Sequence, residues 1–532
     1  MAVHGHDLWQ LFALLAGVSV LLVLSSTVRI PYPILLVLGG LVLALVPGLP
    51  EFELPPELVL VAFLPPLLYS AAFFTSVRDL RANARPIGLL AIGLVGATTL
   101  GVAVVAHWAI DELTWPAAFV LGALVSPTDP VAATSIAHRL RVPRRLIVVI
   151  EGESLVNDAT ALVLFRTAVV AVLSGTFTLW EAGGRLLLTA AGGIAIGLAV
   201  GFVVRQVRRR LQNPPVEITI ALLTGYLAYL PAEALGVSAV LAAVTVGLYM
   251  GWYTPELTDS ETRLHGEAFW TILTFVMNAV LFTLIGLQIP RILDQLDGWS
   301  PSELVGAAFA VSAAVIVIRL AWVFPFTYLP RFLFPRLRAR DPYPPWQIPL
   351  VLGWSGMRGA VSLAAALAIP LQTDAGAPFP GRELIVFLAS SVILATLVVQ
   401  GLTLPWLIRV VGLEDDGADD AREEALARIR AAEVALERLE QLVREGEILP
   451  DTAERLRGAY RFRASRFQER LDGEATAVED RSQAYQRLRR ELLRAEEDAV
   501  VALRRAGDIS DAVMHRVLRD LALEDLRLDL AS

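Results

Sequence analysis

Long apolar runs, separated by short charged or Pro/Gly-rich breaks, fill the chain as far as about residue 411, and then the pattern ends. The runs lie near 8–27, 33–48, 57–74, 86–108, 115–137, 144–174, 181–204, 215–232, 236–252, 266–289, 302–329, 346–370 and 382–411. A helix needs about 20 apolar residues to cross a bilayer. The pattern therefore predicts an all-α polytopic membrane protein with about 13 transmembrane helices over 8–411. Met1–Asp7 lacks a basic segment and no small-residue cleavage site follows, so 8–27 reads as a retained first span, not a signal peptide. Beyond Leu413 the sequence becomes rich in Arg, Glu and Ala. Helical periodicity with interleaved charge runs through 418–447 and 474–505, punctuated by Pro450 and by Asp508-Ile509-Ser510. Residues 414–532 are predicted to form a helical cytoplasmic tail.

Charge fixes the orientation. Taking alternate breaks as one side, that side carries Arg29, Arg78, Arg81, Arg85, Arg139, Arg141, Arg144, Arg145, Arg205, Arg208, Arg209, Arg210, Arg263, Arg331, Arg336, Arg338 and Arg340, against Arg185, Arg291 and Arg382 on the other. Seventeen against three places the N-terminus outside and the C-terminus in the cytoplasm, which requires an odd number of spans. The whole net charge of −8 resides in the tail, with 29 acids and 21 arginines; the remainder balances. Only 18% of residues are charged and mean hydropathy is +0.59, which excludes an ordinary soluble protein of this length. There is no cysteine, so disulfides and thiolate metal sites are excluded. No cofactor and no nucleic-acid partner are expected; membrane lipid is.

Against this apolar background, a few ionisable residues stand out. An acid at mid-bilayer costs roughly 2.5–3.5 kcal/mol, so acids kept there face protein and usually handle ions. At 1.5 Å per residue, Asp129 lies about 20 Å into the fifth span, Glu153 and Asp158 about 13 and 21 Å into the sixth, and Arg358 about 18 Å into the twelfth. Arg319, in the eleventh span, is a second deep base closer to the cytoplasm. Spans 5 and 12 are also interrupted, by Pro127 and Pro130 and by Gly353, Gly356 and Gly359. Broken helices at membrane depth are tolerated only around a protein-lined cavity. They stand seven spans apart and so run in opposite directions, which predicts inverted-topology repeats with the two broken helices crossing at the site.

In the sixth span Ser154 and Asp158 share one helix face, four residues apart, and can offer a hydroxyl and a carboxylate to a small hard cation. Asn157 offers an amide to a water or to the bend of span 5. Glu153 reads as the ion-pair partner of Arg358, because a buried arginine needs an anion. For Asp129, helix-end neutralisation and direct cation binding both stand. Arg166, near the outer end of span 6, is expected to snorkel.

At Phe63-Leu64-Pro65-Pro66-Leu67-Leu68, Ser126–Val131, Glu151–Asp158, Phe275–Gly286 with Asn278, and Gly356-Met357-Arg358-Gly359-Ala360, the chain resembles bacterial sodium/proton antiporters of the electroneutral cation–proton antiporter branch, related to the animal sodium/proton exchangers. The resemblance spans about residues 8–411. It implies a homodimer in the cell membrane, each protomer moving a core domain against a dimerisation domain. It also implies Asp158 as the transported-ion carboxylate, Ser154 and the Thr128 backbone as further ligands, Asn157 as the branch marker and Glu153–Arg358 as a supporting pair. Many relatives carry an acid just after the double proline of span 3, where this chain has Tyr69-Ser70, so the cation preference stays open between sodium (or lithium) and potassium.

The expected activity is one-for-one exchange of a cytoplasmic cation for an external proton by alternating access. The two ions compete for Asp158, and no ATP motif is present to drive transport otherwise. A cation channel or a non-transporting sensor is the alternative of a different class. An intramembrane hydrolase is disfavoured, since neither His-Glu-x-x-His nor a Gly-Asp catalytic pair occurs.

Overall fold

The computed structural model describes residues 16–24, 31–46, 56–174, 179–296, 298–413, 417–446, 448–472 and 476–529. These fall into two compact units, one ending at Asp415 and the other beginning at Asp416. Among the described residues the chain is helical throughout, apart from an isolated bridge between Gln372 and Pro378. Helices are what a bilayer permits, because every backbone N–H and C=O must find its partner inside the segment.

In the first unit α1 (16–24), α2 (Tyr32–Ala44) and α3 (Pro56–Phe74) are followed by a short α4 (Val77–Ala82) and a long α5 (Ala84–Ala109). Then come two half-helices, α6 (Trp115–Val125) and α7 (Pro130–Arg139). Six continuous helices follow: α8 (Arg144–Ser174), α9 (Leu179–Arg208), α10 (Pro214–Ala234), α11 (Ala239–Leu257), α12 (Ser260–Asp294) and α13 (Pro301–Leu333). A short α14 (Pro335–Arg340) leads to a second pair of halves, α15 (Gln347–Trp354) and α16 (Ala360–Leu367), and α17 (Arg382–Val411) closes the unit. Among the described residues, seven of these helices, and the α6–α7 pair taken together, are long and apolar enough to cross a membrane. Residues 8–15 and 25–27 of the predicted span 8–27 lie outside the described residues.

The helix ends depart from the apolar runs where capping extends them. The run 266–289 lies inside α12, whose start is set by Asp259 accepting the Thr262 N–H at 2.8 Å. Likewise α13 begins at a capping box in which Ser300 and Glu303 satisfy each other's backbone N–H groups. Inside α3, Pro65 and Pro66 remove two backbone donors without ending the helix. The carbonyl of Ala62, which Pro66 cannot reach, instead accepts the Tyr226 hydroxyl of α10 at 2.7 Å. A neighbouring helix thus completes the backbone that proline left open.

Small residues set one close crossing. Gly40 of α2 and Gly286 of α12 face each other so tightly that a Cβ on Gly40 would overlap the Thr283 carbonyl, and one on Gly286 the Val37 carbonyl. The second unit consists of two helical hairpins. Glu440 of α18 (Ala418–Arg444) pairs with Arg457 of α19 (Pro450–Asp472) at 2.8 Å, and Arg489 of α20 (Thr476–Ala506) pairs with Glu524 of α21 (Asp511–Asp529). Among the described residues, Ala425, Ala432, Leu439, Ala453, Phe467, Leu493 and Leu521 are its buried apolar side chains.

Gly286→Val should separate α2 from α12 and lower both folded yield and melting temperature. Gly96→Ala, on α5 with open space around its Cβ, should be neutral or stabilising by up to about 1 kcal/mol. Thermal unfolding of both variants in detergent checks the contrast. Equal melting temperatures would remove the close crossing from the packing account.

Candidate functional site

The two interruptions meet. Residues 126–129 between α6 and α7, and 355–359 between α15 and α16, are unwound, and the Asp129 N–H donates to the Met357 carbonyl at 2.8 Å. Four helix ends therefore converge, two N-terminal and two C-terminal, each carrying about half a unit of charge. Asp129 answers the N-terminal pair. Its Oδ1 accepts the Val131 N–H of α7 at 2.8 Å, and its Oδ2 lies against Gly359, the residue just before α16. Arg358 answers the C-terminal pair. Its Nε donates to the Val125 carbonyl at the end of α6 at 2.9 Å, and its Nη1 to the Gly356 carbonyl just beyond α15. The Arg358 backbone N–H is held by Thr396 Oγ1 at 3.1 Å.

This arrangement corrects the expected pairing of Glu153 with Arg358. The arginine that clasps Glu153 is Arg319 of α13: both guanidinium Nη atoms bind the carboxylate, Nη2 at 2.8 Å, and both side chains are almost fully buried. Arg319 also donates to the Leu352 carbonyl of α15, from Nε at 3.3 Å and Nη2 at 3.1 Å. Arg358 is held instead by carbonyls at two helix ends, through Nε and Nη1, while its Nη2 is buried without a hydrogen-bond partner among the described residues. Gly356 makes room for this, since a Cβ there would strike the Arg319 side chain.

Glu153 has a second partner. Thr128 Oγ1 donates to Glu153 Oε1 at 3.1 Å, and Asn157 Nδ2 donates to Thr128 Oγ1 at 2.9 Å. A relay Asn157–Thr128–Glu153–Arg319 thus ties α8, the unwound turn, and α13 together. Asn157 braces the bend and does not line the neighbouring cavity; its Oδ1 is buried without a partner.

That cavity, of about 430 Å³, is bordered by Thr128, Asp129, Ser154 and Asp158, by Ser70 of α3, and by Trp270 and Asn278 of α12. It extends to Thr75, Thr134 and Glu151, near the helix ends that carry the arginine-rich loops. Ser70 Oγ is spent on its own helix, donating to the Leu67 carbonyl at 3.0 Å. Among the described residues no hydrogen bond or ion pair holds the Asp158 carboxylate, which borders the cavity beside Ser154, one turn earlier on α8. Sequence reasoning passed over Ser362, Thr134 and Thr274 as cavity-lining groups. Ser and Thr are ordinary in transmembrane helices, so nothing in their type marked them. Arg166 is not simply extended towards water; it pairs with Glu233 of α10 at 2.8 Å.

The relay makes the stability prediction specific. Arg319→Met leaves a buried carboxylate unpaired and should cost roughly 3–5 kcal/mol. Adding Glu153→Gln should return much of that loss, whereas combining Glu153→Gln with Arg358→Met should show far weaker coupling. A thermal double-mutant cycle on the detergent-purified protein decides it. Stronger coupling to position 358 would restore the pairing that the geometry replaces.

Known proteins share this architecture and sequence. Residues 11–410 match the family described as sodium/hydrogen exchanger, transmembrane. An uncharacterised Na+/H+ exchanger of Mycobacterium tuberculosis is 39% identical over 97% of this chain and 95% of its own length. A sodium, potassium, lithium and rubidium/H+ antiporter of Bacillus pumilus is 34% identical over 71% of this chain and 58% of its own. The solved sodium proton antiporter MjNhaP1 of Methanocaldococcus jannaschii superimposes with a TM-score of 0.58 at 19% identity, covering 76% of this chain and 97% of that one, and shares the fold. The family is one of multi-pass membrane transporters that exchange monovalent cations for protons. This chain belongs to the sodium/hydrogen exchanger family.

Proposed function

We infer that the protein exchanges cytoplasmic sodium or lithium for external protons, one for one, by alternating access at Asp158. The observation that carries this reading is the unequal treatment of three deep acids. Glu153 is clasped by Arg319 and Asp129 caps α7, whereas among the described residues Asp158 borders the cavity with no hydrogen-bond or ion-pair partner. Ser154 Oγ and the Thr128 carbonyl are the further cation ligands in this reading, with Asn157 and Asp129 shaping the turn that presents them. A proton or a cation neutralises Asp158; an empty carboxylate stays charged and is costly to carry through a low-dielectric barrier. Either ion therefore licenses the movement and the empty site does not.

The cavity's extension towards the arginine-rich loops supports an inward-facing state, with the N-terminus outside and the tail in the cytoplasm. A homodimer in the plasma membrane, with residues 8–411 as the transport domain and 414–532 as the tail, completes the reading. Potassium remains the second cation. The Bacillus relative's name includes it, and Ser70 supplies no carboxylate to the cavity.

Asp158→Asn should abolish cation-dependent proton flux in proteoliposomes while leaving the fold intact, because an amide cannot alternate between the two ions. Flux like that of the unaltered protein would remove Asp158 from the mechanism. Comparing sodium, lithium and potassium in the same vesicles ranks the cations, and cation flux without proton movement would instead indicate a channel. With one titrating carboxylate per cycle, the reversal point at fixed pH gradient should not move when a potassium–valinomycin potential is imposed. A voltage-dependent reversal point means more than one proton per cation.

A further inference from the structure

Three arginines from separate helices converge on a single aspartate at the arginine-rich end of the first unit. Asp341 pairs with Arg331 of α13 at 2.5 Å and with Arg145 of α8 at 3.1 Å, and Arg85 of α5 approaches it at 4.0 Å. One carboxylate against three guanidiniums leaves two positive charges in excess. The Nη2 of Arg85 is buried with no hydrogen-bond partner.

This cluster rims a cavity of about 100 Å³ whose inner wall is apolar, formed by Leu90, Val149, Val323 and Leu352. Along one side Trp322 and Phe326 stack with ring centroids 3.9 Å apart. The indole N–H of Trp322 donates to the Leu89 carbonyl at 3.2 Å, which fixes that wall to α5. An apolar slot that ends in surplus guanidinium, at the ends of membrane-spanning helices, repeats the layout of a phospholipid. Guanidinium groups bind phosphate oxygens through paired, charge-assisted hydrogen bonds. Basic pockets between transmembrane helices on the cytoplasmic side suit anionic headgroups.

We propose that this groove binds an anionic phospholipid, with its phosphate on Arg85 and Arg145 and the start of an acyl chain against Trp322 and Phe326. The location gives the lipid a structural effect. Val149 lies one helical turn before Glu153 on α8, and the carbonyl of Leu352 is the one that Arg319 holds. A lipid seated here links α5, α8, α13 and α15 directly beneath the Glu153–Arg319 clasp, and so stiffens the part of the unit that carries the crossing.

The test is thermal unfolding of the full-length protein in detergent, with phosphatidylglycerol or phosphatidylcholine added at equal mole fraction. Phosphatidylglycerol should raise the melting temperature by several degrees, phosphatidylcholine and millimolar inorganic phosphate by little. Arg85→Gln with Arg145→Gln should remove that rise, while Arg336→Gln with Arg338→Gln, on the exposed α14, should keep it. A rise produced equally by either lipid, reproduced by phosphate alone, or lost in both double variants would overturn the proposal. Should the first double variant fail to fold, a photoactivatable phosphatidylglycerol on the unaltered protein decides instead. Labelling concentrated in the peptide 322–331 supports the site, and labelling spread evenly over the helices refutes it.

Discussion

Two interrupted helices can cross inside a membrane only if protein takes up the backbone groups that the interruptions set free. The Asp129–Met357 hydrogen bond is where one unwound segment serves the other, and the rest of the site follows from it. Once four helix ends point at one place, that place needs a negative group for two of them and a positive group for the others. Asp129 and Arg358 fill those positions. They are scaffold charges, fixed by backbone dipoles and not by each other.

The same requirement separates the deep acids by task. Glu153 is committed to Arg319, and through Thr128 and Asn157 it holds the bend in shape. Glu153 and Arg319 therefore neutralise each other inside the fold. Asp158 lies one turn beyond Ser154, outside that web, bordering a water-accessible space.

Much of this was legible in the chain. Apolar runs located the helices because a bilayer imposes a length, and the Pro127/Pro130 and Gly353/Gly356/Gly359 clusters located the breaks because backbone donors and side-chain volume are local properties. The partner of Glu153 was not legible. Arg319 and Arg358 both lie deep, and depth along a helix can be counted from sequence, whereas the direction a side chain takes around the helix axis depends on tertiary packing. The assumption that a buried arginine must meet a carboxylate also failed, since the carbonyls of Val125 and Gly356 serve Arg358 as well. The start of α12 shifted for a similar reason: capping by Asp259 begins it six residues before its apolar run, which an apolar count does not register.

The contact between Asp129 Oδ2 and Gly359 constrains how sequences of this kind can drift. A side chain at 359 has no space while the carboxylate is there, and shortening residue 129 to make space would leave two helix N-termini without their counter-charge. Neither position can change alone without loss. Across divergent chains with this crossing, 129 and 359 should therefore be inherited as one unit, although 229 residues of sequence lie between them.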